Sequence, residues 1–145
     1  GGNVEYISPD DAEMNAAIQE AQETLPLFID ALQAPTTTQT HFAIKVRFPY
    51  GEGDDTEHMW VSELTYTEGR FEGILGNEPV FVDDLHSGDR VSAGLQDVSD
   101  WMIIDGNALL GGFTLHVIRN RMTEAEREQF DAELGITLPD SPGLP

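Results

Sequence analysis

Residues 57–66 read Glu-His-Met-Trp-Val-Ser-Glu-Leu-Thr-Tyr, and the head of that run holds groups able to do chemistry. An imidazole beside a carboxylate can move protons. His58 with Glu57, or with Asp100 brought near by folding, would give a small hydrolytic or ligand-binding centre. An indole offers a broad apolar face with one polar handle, so Trp60 could equally anchor a partner. Strict alternation puts His58, Trp60, Ser62, Leu64 and Tyr66 on one face of a strand and Glu57, Met59, Val61, Glu63 and Thr65 on the other. His58 and Trp60 therefore either line a core beneath a helix or form the aromatic edge of a binding surface.

Elsewhere the reactive residues are scattered. His41, His58, His86 and His116 stand alone in sequence, none with a second histidine three to five residues away, and there is no cysteine. Thiol nucleophiles, disulfides and zinc-thiolate sites are excluded, and no metal or cofactor is expected. The chain has no glycine-rich phosphate loop, no G-x-S-x-G elbow and no H-E-x-x-H. Asp54, Asp55 and Glu57 cluster in one stretch, and Asp83, Asp84 and Asp89 in another. Neither has the ligand spacing of a calcium loop, so both read as solvated carboxylates.

The charge balance narrows the partners. Twenty-seven acids against seven Lys and Arg give a net charge of −20 over 145 residues. Such a field repels phosphate backbones and anionic membranes and draws in basic partners or cations. Nucleic acid binding and membrane insertion are not expected, and the apolar runs fall short of a bilayer span. The absence of cysteine fits cytoplasm and periplasm alike. A cytoplasmic location is the simpler expectation, with the periplasm open if a signal peptide preceded Gly1.

These groups need elements to position them. Ser8-Pro9-Asp10-Asp11 reads as a helix start, and Met14, Ile18, Ala21, Leu25, Phe28 and Leu32 then trace one apolar stripe. Pro26 should kink that helix or split it near Thr24 and Leu25. From His41 the period changes to two through Phe42, Ile44, Val46 and Phe48, and Gly51 to Asp55 forms a hairpin loop. Further strands are expected at 57–66, 71–75, 80–82, 91 onward, 98–104 and 113–119. Thr123 and Glu126 have capping-box spacing, opening a final helix that Gly135 ends. The result is an α+β fold: a curved antiparallel sheet of about six short strands, barrel-like in one form, packed by an N-terminal helix and a C-terminal helix. Residues 1–7 read as a disordered or non-native N-terminus, 8–136 as a single α+β domain and 137–145 as a flexible tail.

Five segments taken in order resemble a known family. They are EHMWV from Glu57, the GxLGNEPxxV stretch at Gly73 to Val82, GDRV at Gly88 to Val91, DWMII at Asp100 to Ile104 and GGFTLHVIR at Gly111 to Arg119. Together they are similar to the bacterial domain of unknown function 2314, or YegJ-like, family, over about Asp11 to Leu134. The resemblance implies no catalytic residues. It implies small proteins that stand alone or are fused to ankyrin-type repeats, with similar domains among bacterial immunity proteins, and so favours interaction over catalysis. The expected function is a small acidic non-enzymatic binding module, of immunity or inhibitor type, for a basic protein partner. Its candidate contact residues are His58, Trp60, Asn77, Glu78, Asp100 and Trp101. The alternative is a ligand-binding or hydrolytic domain with a pocket near His58, Trp60 and Asp100.

Overall fold

The computed structural model describes residues 11–145. Helix α1 spans Ala12–Gln33, and strands β1 (Gln39–Pro49), β2 (Thr56–Thr67), β3 (Arg70–Leu75), β4 (Arg90–Gly94), β5 (Val98–Asp105) and β6 (Ala108–Gly111) follow. A short 3₁₀ turn, Leu95–Asp97, links β4 to β5, and helices α2 (Phe113–Asn120) and α3 (Glu124–Leu134) close the order. All six strands join one antiparallel sheet in the order β4-β3-β2-β1-β5-β6. The fold is α+β as expected, but the sheet stays open. β4 and β6 are its two edges, and there are two C-terminal helices instead of one.

Each element has a local cause. Met14, Ala17, Ala21, Leu25 and Phe28 are the buried face of α1, and the last four pack in one core with Ile44, Val46, Met59, Val61, Phe71, Trp101 and Ile103. Phe28 is the centre of this core, with ring centroids 5.5 Å from Trp101, 5.9 Å from Phe42 and 6.2 Å from Phe71. Pro26 does not split α1, which runs unbroken through it. The α1 cap is Asp11, whose carboxylate accepts from the Met14 amide at 3.1 Å. The expected cap at Ser8 and Pro9 lies outside the described residues. Thr123 and Glu126 do form the capping box, and Gly135 takes the left-handed conformation at the end of α3.

Three expectations are corrected. Residues 80–82 are not a strand, because their amides are held by a side chain, as described below. Residues 113–119 are not a strand either. Gly111 and Gly112 both adopt positive φ, which turns the chain off the sheet and lets α2 start at Phe113. The alternation along β2 also breaks. Glu63 sits at φ 52° in a bulge between Ser62 and Thr65, and Gly73 of β3 opposes it so closely that a Cβ there would lie 2.5 Å from the Ser62 carbonyl. The bulge reverses the phase. Met59 and Val61 face the core before it, and Leu64 and Tyr66 pack against the core after it.

The 137–145 stretch, expected as a flexible tail, makes main-chain bonds along β6. The Leu109 amide donates to the Thr137 carbonyl at 3.1 Å and the Gly111 amide to the Gly143 carbonyl at 2.8 Å.

Candidate functional site

The residues singled out by type converge on the middle of the sheet, where Lys45 of β1 stands opposite Trp60 of β2 and Asp100 of β5. Burial decides what these groups can do. Lys45, Ser99, Asp100 and Thr114 are fully buried, and Glu57 and His58 nearly so. A buried polar group must find its partners inside the protein, and here nearly all of them do.

Asp100 organises the first of three anchors. Its Oδ1 accepts from the Trp101 amide at 2.8 Å and the Phe113 amide at 3.1 Å, and its Oδ2 accepts from the Thr114 amide at 2.9 Å and from the Thr114 hydroxyl. The carboxylate thus caps α2 from another strand, satisfying first-turn amides that have no partner within the helix. Lys45 Nζ donates to Thr114 Oγ1 at 2.7 Å and lies 5.2 Å from the centre of the Trp60 ring. Burial pushes the Asp100 carboxyl above its ordinary range, against the pull of the Lys45 cation and the Thr114 and Trp101 donors.

His58 forms the second. Ser99 Oγ donates to the Lys45 carbonyl at 3.4 Å, which leaves it to accept from His58 Nδ1 at 3.0 Å. The Nε2 atom then faces the Thr56 hydroxyl at 3.3 Å. Burial, reinforced by the Lys45 and Arg47 charges, holds the imidazole down at about 4, so His58 is neutral at pH 7. Its bonding partners are two hydroxyls. The two carboxylates expected beside it, Glu57 and Asp100, are committed elsewhere.

Glu57 is the third anchor and was not expected. Its carboxylate accepts from three successive amides, Val80 at 2.7 Å, Phe81 at 3.0 Å and Val82 at 3.0 Å. Consecutive amides turned to one side make an anion-binding concavity, and the anion here is the chain's own side chain. Asn77 pins the same loop, because its Oδ1 accepts from the Trp60 amide at 2.8 Å while the Gly76 amide donates to the Trp60 carbonyl at 2.9 Å. Glu78 lies on the exposed side, bonded to the Ser87 amide at 3.0 Å and His86 Nδ1 at 3.2 Å, and these contacts hold its carboxyl below the ordinary range.

The candidate contact residues therefore divide. Trp101 has no exposed surface and donates from Nε1 to the Thr24 hydroxyl at 2.9 Å. It is a core residue, packed against Phe28 and Phe113. His58, Asn77 and Asp100 are buried positioning groups, Trp60 is half-buried, and Glu78 is exposed. Two residues that composition alone did not mark, Val80 and Phe81, are the most exposed large apolar side chains near these anchors, at 66% and 48%. The Phe81 ring stacks on Tyr50 with centroids 4.8 Å apart and planes 14° from parallel.

Among the described residues no group of three or more His, Asp and Glu is arranged to hold a metal ion, and no helix is long and apolar enough to cross a membrane.

Two curated proteins show what the chain is similar to. A protein of Neisseria meningitidis serogroup B, bearing the name "Putative ankyrin repeat protein NMB1133/NMB1171", is 33% identical over 142 residues, which cover 93% of this chain and 56% of that protein. The chain thus spans little more than half of that relative's length. The uncharacterized protein YegJ of Escherichia coli is 29% identical over 125 residues, covering 86% of this chain and 79% of the other. No solved structure matches. The family model described as "Uncharacterized protein conserved in bacteria" (DUF2314) matches residues 11–138, so the chain belongs to that family.

Proposed function

We propose that this chain is a small acidic binding module that covers a basic site on a protein partner, in the manner of an immunity or inhibitor protein. The observation carrying this reading is the fate of the seven basic side chains, every one of which has an internal partner. Lys45 is buried on Thr114, and Arg47 bonds the Gln96 carbonyl. Arg70 holds Ser92, Arg90 faces Glu72, Arg119 pairs with Asp131 and Arg121 with Asp11. Arg127 donates to the carbonyls of Arg119 and Asn120. With 27 acids in the chain, a large excess of carboxylate is left to face solvent. Such a surface speeds encounter with a cation-rich partner.

The reading as a hydrolytic or ligand-binding domain has one geometric support, the His58–Ser99 pair. Both side chains are buried, and neither carboxylate expected to assist His58 is among its bonding partners. This favours the binding module. Affinity capture from the native organism tests it: one basic protein should be recovered at low salt, with an association rate that falls steeply as salt is added. Recovery of nothing, or a salt-independent rate, would overturn it.

A further inference from the structure

We infer that the Val80-Phe81 turn, with Tyr50 beneath it, is the apolar hot spot of the docking surface, and that its partner presents an apolar pocket bordered by Lys or Arg. The inference rests on the basic-partner reading and deepens it. Four observations converge on this one loop.

The turn is exposed where exposure is costly. Val80 at 66% and Phe81 at 48% sit side by side, whereas Val82, the next residue, is buried in the core cluster. The turn is also held still. Three amides donating to one buried carboxylate fix the backbone at Val80, Phe81 and Val82, and Tyr50 stacks on the Phe81 ring. A side chain already held in its binding posture loses little conformational freedom on docking, which is a property of hot spots.

The surroundings carry charge of one sign. Stacking on Tyr50 sets the turn beside the Gly51 to Asp55 hairpin, so exposed Glu52, Asp54 and Asp55 lie on one flank and Glu78, Asp83 and Asp84 border it in sequence. No Lys or Arg occurs in residues 48–57 or 76–89. An apolar knob between two carboxylate-bearing segments repels a second copy of itself and selects a pocket with a cationic rim. Finally, Glu57 gives this posture a reason. A carboxylate buried inside a strand is costly, and the bonds it makes serve to present these two side chains.

The test is a selection from a phage-displayed library of random peptides against the wild-type chain and against Phe81→Ser, whose fold is checked by its melting temperature. Enriched peptides should combine an aromatic or branched apolar residue with flanking Lys or Arg, and should bind Phe81→Ser more weakly by about tenfold or more. Basic peptides that bind the two proteins equally would overturn the hot spot while leaving the basic-partner reading intact. Enriched peptides without Lys or Arg, or no enrichment at all, would overturn both. Self-association of the wild type that Phe81→Ser abolishes, measured by sedimentation, would reassign the surface to a second copy and overturn the proposal.

Discussion

Glu57 and Val82 lie 25 positions apart, yet the Glu57 carboxylate accepts the Val82 amide at 3.0 Å, deep in the protein. Together with the Val80 and Phe81 amides, this bond replaces the strand pairing that the apolar run at 80–82 would otherwise seek. Glu57→Ala leaves buried donors without an acceptor and should cost about 3 kcal/mol. Glu57→Gln keeps one acceptor oxygen and should cost less. Amide exchange at Val80, Phe81 and Val82 reads the effect directly. Those amides should lose protection in both variants before the core strands do, and unchanged protection would disprove the anchoring role.

His58 makes stability depend on pH. Its folded value of about 4 lies below the ordinary 6.5, so the unfolded chain takes up a proton that the folded chain refuses. The stabilisation from neutral His58 is therefore complete above about 6.5 and is lost as pH falls from there to about 4, levelling below. A shift of that size is worth on the order of 3 kcal/mol. Denaturant titrations across this window should show the slope in the wild type, and His58→Gln should flatten it.

How much of this could be read beforehand follows from the range of the interactions responsible. The α1 stripe, the Gly51 to Asp55 hairpin and the Thr123–Glu126 cap depend on residues a few positions apart, and pattern reveals them. The start of α2 does not, because Asp100 caps it from 13 and 14 positions away, and alternation at Phe113, Leu115 and Val117 looks like a strand. The bulge at Glu63 likewise inverts an otherwise regular alternation. At the site, His58, Asp100 and Glu57 were recognisable as chemically able. Their use as internal anchors was hidden, since it depends on amides far along the chain.

Asp100 should be among the least replaceable side chains. Asp100→Asn puts an amide NH2 into a carboxyl site where three main-chain donors and the Thr114 hydroxyl all need acceptors. Breaking a buried charged network of this kind costs about 3–5 kcal/mol. The melting temperature should fall sharply and α2 should lose its amide protection first. A change within about 0.5 kcal/mol, the usual range of a surface substitution, would contradict the capping role.

Gly111 meets Trp101 so closely that only glycine fits. Its φ is 68°, and a Cβ there would lie 2.5 Å and 2.6 Å from two atoms of the indole ring. Gly111→Ala combines backbone strain with overpacking of the largest core side chain and should cost about 3 kcal/mol or more. Gly69, also at positive φ but with nothing within 4 Å of a Cβ, is the control. Its alanine variant should lose only about 1 kcal/mol, and equal losses at the two sites would show that the indole contact is unimportant.

His116 predicts the opposite sign. Its Nε2 is the buried side-chain polar atom left without a hydrogen-bond partner among the described residues, and burial followed by the Arg119 charge lowers its pKa. An unsatisfied buried polar atom costs about 1–3 kcal/mol, so an apolar side chain of similar reach should remove that cost. His116→Leu should leave stability unchanged or raise it by about 1 kcal/mol at pH 7. The gain should grow on acidification, because the wild type must keep His116 neutral while its unfolded chain takes up a proton. A loss of about 2 kcal/mol or more in a denaturant titration would mean instead that Nε2 has a partner, such as an ordered water, whose removal the variant exposes.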